Sequence, residues 1–325
     1  MGRVSIVSVI MLLAAPAVAQ QDHDLSAPAS SATLLQSLPL PEEKRAALHA
    51  AIGKRDYLTA ENLLAEEADR NPKSQAFLLA LANVLFLDGK QLNSAMVLKK
   101  AESLGPLDER NRFLLALSYI AINRKNLARP ELETLARSNP SNAVYPYWLS
   151  RLAYRKTDLQ EALSYAEKAV RLDPAFMKAY DQLGLCYAGL QQNDAAIGAY
   201  KQAIRLNQQQ LARWPWPAMN LGTLFLRLER LDEAEAQLRD SIRIDPSFPV
   251  AHYRLGQVLE KKSRDQEAIT ELEQAAKLDP TYPEPHYAMA RIQRKIGNLQ
   301  AAAREIQLFE DLRKTDKLKG ITRPD

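Results

Sequence analysis

Histidine and cysteine are the side chains of this sequence whose chemistry could support catalysis or metal binding. The chain has one cysteine, Cys186, and four histidines, His23, His49, His252 and His286. His252 and His286 are 34 residues apart, a spacing that recurs along the chain. Equivalent positions on stacked helices lie about 8–10 Å apart, which is too far for two imidazoles to share one metal at about 2 Å each. We therefore interpret both histidines as packing residues.

The sequence contains no other pattern that indicates an enzyme. A single cysteine excludes an intramolecular disulfide and every multi-cysteine metal site. Gly184 and Gly189 are not followed by the Gly-Lys-Ser/Thr of a phosphate-binding loop. The motifs H-E-x-x-H and G-x-S-x-G do not occur. We predict no catalytic residue, no cofactor site and no metal site.

The N-terminal residues are expected to direct export. Arg3 precedes an apolar run, and Ala17-Val18-Ala19 has the small-x-small pattern that comes before a cleavage site. We predict a signal peptide over residues 1–19, and hence a protein that is periplasmic or secreted if it is bacterial. A retained anchor is the alternative, but the apolar run is shorter than the roughly 20 residues that span a bilayer, so no integral membrane span is predicted. Residues 20–40, rich in alanine, serine and proline, are predicted to be a flexible tether.

Proline positions reveal an internal repeat. Two sets of prolines are each spaced by 34 residues: Pro72, Pro106, Pro140 and Pro174 in the first, Pro246 and Pro280 in the second. Five of these six prolines follow Asn or Asp. Proline cannot continue a helix and restricts the residue before it, so each pair predicts the end of one helix and a turn to the next.

Small residues occupy fixed positions when each repeat is numbered so that this proline is position 32. Position 8 is Ala, Ser or Gly in every repeat after the first, which has Leu48, and position 20 is always Ala or Ser. Position 27 is alanine in four repeats. Small residues at positions 8 and 20 allow two antiparallel helices to approach closely, and position 27 admits the next helix. Positions 4, 7, 8 and 11 form the stripe of a buried helix face.

The pattern resembles the tetratricopeptide repeat family. Segments such as AMNLGTLFLRLERLDEAEAQLRDSIRIDP and AHYRLGQVLEKKSRDQEAITELEQAAKLDP carry its Leu-Gly pair, central Ala, later small residue and terminal Asp-Pro. The resemblance covers eight repeats, numbered 1 to 8: 41–74, 75–108, 109–142, 143–176, 177–210, 215–248, 249–282 and 283–316. It implies an all-α fold, a right-handed α-solenoid of about eight helix-turn-helix repeats. The last repeat lacks the terminal proline, so we expect it to continue as a capping helix before a tail at 317–325.

In this family, positions 2, 5, 9, 12 and 13 line a concave groove that binds an extended peptide or a partner helix. Repeats 2 and 3 place there an apolar stripe, interrupted by Asn83 and Arg110; its members are Leu79, Phe86, Leu87, Phe113, Leu117 and Ile120. Repeats 4 to 8 place there a basic stripe, the candidate partner-binding residues, which are Tyr147, Arg151, Tyr154, Arg155, Lys178, Arg227, Tyr253, Lys261, Tyr287, Arg291, Arg294 and Lys295. Trp216 shares this face, and its acidic residues are Asp181, Glu260 and Glu284.

The basic stripe predicts a protein or peptide partner of acidic character, a C-terminal carboxylate or an anionic glycan, because arginine pairs with carboxylates and rings supply rigid contact area. The alternative is that these cations are solvated or paired with acids one repeat away. The family's clamp for a terminal carboxylate is incomplete: Asn220 matches position 6, but Asp181 and Leu185 hold positions 5 and 9 before it. The net charge of +4 and the predicted export disfavour nucleic acid.

The segment ATLLQSLPL, which ends at Leu40, carries four leucines just before the first repeat. It could fold back over the apolar stripe or pass to another protomer, and the alternative is a simple capping helix.

The most consistent function is a non-enzymatic scaffold or adaptor that binds protein partners in the cell envelope or outside the cell. An assembly factor for secreted or outer-membrane structures is a narrower form of this interpretation. The alternative from a different class is an envelope enzyme that processes peptides or glycans, or its regulatory subunit. A repeat groove is reused for many ligands, so the sequence indicates neither the partner's identity nor the oligomeric state.

Overall fold

The computed structural model describes residues 38–155, 158–210 and 213–319, with side chains as far as residue 315. Within these ranges the chain forms sixteen α-helices and no strand, which confirms the predicted all-α solenoid class of paired helices. The predicted signal peptide, tether residues 20–37 and tail residues 320–325 lie outside the described residues.

Contacts divide the chain into two units, Met1–Pro140 and Ser141–Asp325, which we describe separately. Unit 1 contains three helix pairs: α1 (Glu42–Gly53), α2 (Tyr57–Arg70), α3 (Gln75–Leu87), α4 (Gln91–Glu102), α5 (Glu109–Ala121) and α6 (Lys125–Ser138). Unit 2 contains five pairs: α7 (Val144–Tyr154), α8 (Leu159–Leu172), α9 (Met177–Gly189), α10 (Asn193–Asn207), α11 (Trp216–Arg227), α12 (Leu231–Ile244), α13 (Pro249–Lys261), α14 (Asp265–Leu278), α15 (Glu284–Lys295) and α16 (Leu299–Lys319). Each of the first seven pairs lies within the bounds of one predicted repeat, and the eighth extends past residue 316 to Lys319.

The small-residue columns hold the two helices of each repeat together, as the sequence predicts. Every position 20 is 3% exposed or less, from Ala60 to Ala302. A Cβ added to Gly256, at position 8, would lie 2.7 Å from Cγ of Leu272 on the second helix. Where serine replaces alanine in these columns, its hydroxyl forms a hydrogen bond to the facing helix: Ser150 Oγ donates to the Ala162 carbonyl at 2.7 Å. The close approach of the helices therefore depends on residue size at these columns.

The turn inside each repeat contains a residue in the left-handed region. Position 15 has φ between 57° and 84° in all seven repeats where the structure describes it. The N–H of the next residue donates to a carbonyl five residues back, as from Arg230 to Phe225 at 2.9 Å. This bond closes the end of the first helix. Five of the seven residues are not glycine, namely Arg55, Asn123, Gln191, Glu229 and Ser263.

The turn between repeats depends on the residue that precedes the proline. Asp245 Oδ1 accepts from the backbone N–H of Ser247 at 2.9 Å, and Asp173 and Asp279 form the equivalent bond to Ala175 and Thr281, also at 2.9 Å. Because the carboxylate satisfies a backbone donor two residues on, the Asp-Pro pair fixes the direction of the next helix.

The predicted cap at the C-terminus is part of a longer helix. The second helices of the earlier repeats have 12 to 15 residues, whereas α16 has 21 and runs through Lys319. The second helix of repeat 8 thus continues without interruption into the segment expected to form the capping helix, and it includes the first residues of the predicted tail.

Candidate functional site

All twelve residues of the basic stripe belong to unit 2. Eleven lie on the first helices of their repeats, on α7, α9, α11, α13 and α15, and Arg155 follows α7 directly. The structure separates them into four that line an open concavity on repeats 6 to 8, three that lie on repeats 7 and 8 outside its lining (Tyr253, Tyr287 and Arg294), and five on repeats 4 and 5.

The concavity has a volume of about 680 Å³ and is lined by side chains of α11, α13 and α15 and their turns: Thr223, Leu226, Arg227, Glu229, Arg254, Gln257, Glu260, Lys261, Arg291 and Lys295. It brings together four residues of the basic stripe and adds Arg254, which the sequence interpretation did not include. Five cations face two carboxylates, so its lining carries an excess of positive charge.

Three of these cations also join neighbouring repeats. Lys261 Nζ lies 2.6 Å from Glu229 Oε1, Arg291 forms a bidentate pair with Glu260, and Lys295 Nζ lies 2.9 Å from Asp265 Oδ1. Each pair links a first helix to the repeat before it. For these three cations, the alternative interpretation of the basic stripe, that its cations pair with acids one repeat away, is therefore correct. Exposed pairs of this kind contribute about 0–1 kcal/mol, so an anionic ligand could compete for them at small cost.

Arg227 and Arg254 are the two cations of the concavity that form no ion pair with a carboxylate of the described residues. Arg227 Nη2 donates to the Ala188 carbonyl at 3.0 Å and to Asn193 Oδ1 at 3.1 Å. Arg254 Nη1 donates to Gln257 Oε1 at 3.0 Å, and its Nε is buried without a hydrogen-bond acceptor there. Both guanidinium groups therefore keep their charge uncompensated at the concavity.

Arg254 was missed because it occupies position 6, beside the positions used to define the groove face. Its guanidinium carbon lies 5.3 Å from the centroid of the Tyr253 ring, and this contact holds it toward the neighbouring stripe position. The sequence did contain a signal that could have identified Arg254: it lies between Tyr253 at position 5 and Gln257 at position 9, the two groove-face residues that it contacts.

The remaining candidates on α15 are exposed. Tyr287 is 49% exposed, with its ring centroid 5.2 Å from that of Phe309. Arg294 is exposed and forms no ion pair within the part of the chain that the structure describes. Both side chains can be reached by a partner but do not line the concavity.

On repeat 4 the candidate side chains pack mainly against protein. Tyr147 is 4% exposed, and its ring centroid lies 5.0 Å from that of Phe176, so it is part of the core rather than a contact ring. The Arg151 guanidinium lies 4.5 Å from the centroid of the Trp148 ring. Burial raises the pKa of the Tyr154 hydroxyl. Arg155 is exposed.

Lys178, on repeat 5, is held by an aromatic ring. Its Nζ lies 5.3 Å from the centroid of the Trp214 ring, and burial lowers its pKa. Trp214 is fixed by Asn207, whose amide exchanges two hydrogen bonds of 2.7 and 2.9 Å with the Trp214 backbone. The residues inserted between repeats 5 and 6 thus supply a ring that covers this cation.

A buried carboxyl lies between repeats 5 and 6. Asp181 is 4% exposed and accepts from Asn220 Nδ2 at 3.0 and 3.1 Å. Burial raises its pKa to about 7, although the Asn220 bond and the charge of Arg151 act in the opposite direction. Because this acid is inaccessible and joins α9 to α11, it does not offer a charge to a ligand.

The two histidines at position 4 bind acids on the second helix of their own repeat. His252 Nδ1 lies 2.7 Å from Glu271 and His286 Nδ1 lies 2.8 Å from Glu305. Burial opposes the charged form of His252, but its bonds to Glu271 and to the Pro246 carbonyl outweigh burial and raise its pKa. No group of three or more His, Cys, Asp or Glu side chains suited to a metal occurs in the described part of the chain. The same residues include no helix long and apolar enough to cross a membrane.

Comparison with known proteins identifies the repeat. Family models described as tetratricopeptide repeat match residues 113–176, 178–210 and 219–283. Protein bimA of Emericella nidulans is 30% identical over 90 residues, which cover 28% of this chain and 11% of bimA. Anaphase-promoting complex subunit 3 of Schizosaccharomyces pombe is 24% identical over 219 residues, 64% of this chain and 32% of that protein. The chain therefore spans about a third or less of the length of these relatives.

Solved structures share the fold. The APC/C hetero-tetramer Cut9-Hcn1 matches with a TM-score of 0.64 and 18% identity, over 79% of this chain and 50% of that chain. Yeast Tom70 matches with a TM-score of 0.60 and 18% identity, over 84% of this chain and 57% of that chain. The family-model matches show that the chain belongs to the tetratricopeptide repeat proteins.

Proposed function

We propose that this protein is a non-enzymatic scaffold whose concavity on repeats 6 to 8 binds an acidic segment of a protein partner. The observation that carries the proposal is the lining of the concavity, in which five cations face two carboxylates and two of the cations, Arg227 and Arg254, have no acidic partner in the described chain. Charge-assisted bonds from guanidinium groups to carboxylates are short, directional and stronger than neutral ones.

The size of the concavity indicates how much of a partner it accepts. Ligand sites commonly have volumes of about 300–1,000 Å³, and the concavity lies within that range at about 680 Å³. This space suits a few side chains of an extended segment rather than a folded domain. Tyr287 and Arg294 are exposed on the same helix as Arg291 and Lys295, so the segment can continue along α15.

The relatives support a role in assembly rather than catalysis. Two curated relatives are named as anaphase-promoting complex subunits, and a third as a member of the BBSome complex. Such names describe members of multi-protein complexes, and we extend only this general role to the present chain.

The test uses a short fluorescent peptide rich in glutamate and an otherwise identical peptide with glutamine in place of each glutamate. The variant Arg254→Gln/Arg291→Gln/Lys295→Gln removes three cations from the concavity. The control Arg205→Gln/Arg243→Gln/Lys277→Gln removes three exposed cations from second helices of unit 2, so both variants change the net charge equally. We expect the first variant to bind the glutamate peptide about tenfold to a hundredfold more weakly than the wild type, and the control to bind it nearly as well.

Equal affinities of both variants for the glutamate peptide would overturn the assignment of the concavity. The same conclusion follows if the wild type binds the glutamine peptide as tightly as the glutamate peptide. Circular dichroism of each variant confirms that the helices are intact.

We further propose that residues 1–19 direct export, to the periplasm or outside the cell if the source is bacterial. The proposal rests on the sequence alone, through Arg3, the apolar run and the Ala-Val-Ala pattern. A fusion of residues 1–30 to an alkaline phosphatase, which is active only after export, should show activity. Loss of that activity in a fusion that begins at residue 20 is expected, and equal activity of the two fusions would contradict export.

A further inference from the structure

Large apolar side chains lie on the solvent face of the second helices of unit 1. Leu58, Leu92, Met96 and Leu127, on α2, α4 and α6, are 45–63% exposed. The first two occupy position 18 of their repeats, Met96 occupies position 22 and Leu127 position 19. Positions 18 and 22 lie two residues, or about 200° around the helix, from the buried position 20, so their side chains point away from the repeat core. We call these four residues the second-helix patch.

The corresponding face of unit 2 is polar and partly acidic. Among the described residues of α8, α10, α12 and α14, no large apolar side chain is exposed. Position 18 of repeats 4 to 8 is Gln160, Asp194, Asp232, Gln266 and Gln300. Exposed acids occur in the first two turns of α10, α12 and α14, namely Asp194, Asp232, Glu233 and Glu267. The packing of a repeat therefore does not require apolar side chains on this face, and the second-helix patch is specific to unit 1.

The charge around the second-helix patch is positive. Lys54, Arg55 and Arg124 lie in the turns that precede α2 and α6, and their side chains are exposed. None of the three forms an ion pair with the part of the chain that the structure describes. Asp56, an exposed acid in the first of these turns, caps α2, and the acid of the turn before α4 is paired with the lysine of that turn. The first two turns of α2, α4 and α6, all of them described, contain no exposed acid.

These features match a surface that lies on an anionic membrane. Apolar side chains enter the boundary between lipid head groups and acyl chains, while lysine and arginine bind anionic head groups. Contacts between proteins depend instead on aromatic and arginine anchors that fill pockets at the centre of an interface. The second-helix patch contains no aromatic side chain, and its members stand apart on three helices among the exposed polar residues Thr59, Asn62 and Asn126.

We propose that the second-helix patch docks this protein on an anionic lipid bilayer, with its four apolar side chains in the interface and the three cations of the neighbouring turns on the head groups. Apolar burial and charge attraction contribute together, so loss of either weakens binding. The proposal goes beyond the scaffold function, because the patch belongs to unit 1 and the concavity belongs to unit 2. Binding to a bilayer and binding to an acidic peptide can therefore be measured independently.

The first test measures flotation of the full chain with vesicles of phosphatidylcholine that contain phosphatidylglycerol. The patch variant is Leu92→Ser/Met96→Ser/Leu127→Ser. The control removes three apolar side chains of unit 2 that are 46–67% exposed, as Ile296→Ser/Leu299→Ser/Leu308→Ser. We expect the control to bind like the wild type and the patch variant to bind about tenfold to a hundredfold more weakly. Equal binding by the patch variant and the wild type would overturn the proposal, as would a wild type that does not bind these vesicles.

The second test removes the cations, as Lys54→Gln/Arg55→Gln/Arg124→Gln. Its control is the triple variant of unit 2 with the same change in net charge, Arg205→Gln/Arg243→Gln/Lys277→Gln. We expect only the first to lose about tenfold to a hundredfold in affinity for the anionic vesicles, and the wild type to bind vesicles of phosphatidylcholine alone more weakly. Equal losses in both variants, or equal binding of the wild type to both kinds of vesicle, would contradict an anionic bilayer as the partner.

Both variants of unit 1 should bind the glutamate-rich peptide as the wild type does. Failure of the bilayer proposal is therefore distinguishable from failure of the scaffold proposal, which that peptide tests.

A third measurement locates the contact. Leu92→Cys is labelled with a dye whose emission shifts to the blue in an apolar environment, and Leu299→Cys is the control; the natural Cys186 is buried. Anionic vesicles should shift the emission at Leu92 and leave it nearly unchanged at Leu299. Equal shifts at the two sites, or none at Leu92, would overturn the proposal. A shift at Leu92 that grows with protein concentration in the absence of vesicles would identify a second copy as the occupant instead.

Discussion

Asp181 is the residue whose environment has the clearest consequence for stability. Its pKa of about 7 exceeds the ordinary value of 3.8 because it is buried. The folded state therefore holds a proton that the unfolded state has released between about pH 4 and pH 7, and this contribution to stability is lost as the pH rises through that window. At pH 8 the folded protein carries a buried negative charge whose main partner is one amide.

We predict that Asp181→Asn is more stable than the wild type at pH 8 and similar to it at pH 4. Asparagine keeps a polar group opposite Asn220 without the charge, and the pKa difference corresponds to at most about 4 kcal/mol. The urea midpoint, measured at intervals from pH 4 to pH 8, should fall with pH in the wild type and fall less in the variant. Glu273→Gln, which changes an exposed acid, is the control and should follow the wild type. Parallel pH profiles of Asp181→Asn and the wild type would show that Asp181 is not the titrating group.

At the scale of the helix pair, glycine has two opposite effects on stability. It allows the two helices to pack closely, but it loses more backbone entropy on folding than alanine does. A Cβ at Gly256 would lie 2.7 Å from Leu272 Cγ and 3.3 Å from the Ala268 carbonyl oxygen, whereas a Cβ at Gly198 would contact nothing within 4 Å. Both glycines lie inside helices, α13 and α10. The same substitution therefore tests packing at one site and helix propensity at the other.

We predict that Gly256→Ala lowers stability by about 1–3 kcal/mol, because the helices of repeat 7 must separate or Leu272 must move. Gly198→Ala should raise stability by about 0.5–1 kcal/mol, because alanine loses less backbone entropy in a helix. Urea denaturation of both variants and the wild type provides the measurement. If both substitutions shift the midpoint in the same direction, close approach at position 8 does not control the packing of the pair.

The left-handed turn residues give a prediction for the loops within repeats. Gln191 and Ser263 have φ of 61° and 58°, a conformation that costs an L-residue about 1–2 kcal/mol and costs glycine little. We expect Gln191→Gly and Ser263→Gly each to increase stability by about 0.5–1 kcal/mol, seen as a higher melting temperature. Gly297→Ala, at the same position with φ of 84°, should lower it, and a rise for that variant would contradict the argument.

The sequence predicted the helix pairs well because their packing requires particular residue types at fixed positions of the repeat. Small residues at positions 8 and 20 and Asp-Pro at the repeat ends recur in residue type, so alignment was enough to find them. Position 15 recurs in conformation but not in residue type: only Gly89 and Gly297 indicated a left-handed turn, while Arg55 and Gln191 did not. The backbone imposes φ there whatever the side chain, so no pattern of residues predicted it.

At the scale of the whole molecule, the net charge of +4 says little about where charge is available. Their positions in the repeat were sufficient to place Arg291 and Lys295 at one concavity. Which acids of the preceding repeat they pair with is visible only in the structure. Tyr147 occupies a groove position in sequence yet is 4% exposed, because neighbouring side chains fill the space in front of it. Burial and pairing depend on several repeats together and cannot be derived from one repeat at a time.

The competition between internal pairs and an external acidic segment leads to a prediction about charge placement. Glu260 holds Arg291 at the concavity, whereas Asp232, with a side chain 94% exposed, pairs with Lys262 outside the concavity lining. Glu260→Gln and Asp232→Asn both remove one negative charge. We expect Glu260→Gln to bind the glutamate-rich peptide about threefold to tenfold more tightly than the wild type, because Arg291 is released and local repulsion falls.

Asp232→Asn should change that affinity little, and fluorescence anisotropy at low ionic strength and at about 0.5 M salt measures both variants. The advantage of Glu260→Gln should shrink at high salt, because the attraction it strengthens is screened there. If the two variants gain affinity equally, net charge alone attracts the peptide and the concavity has no special role. If neither gains, Glu260 does not compete with the ligand, and the peptide binds elsewhere on the repeats.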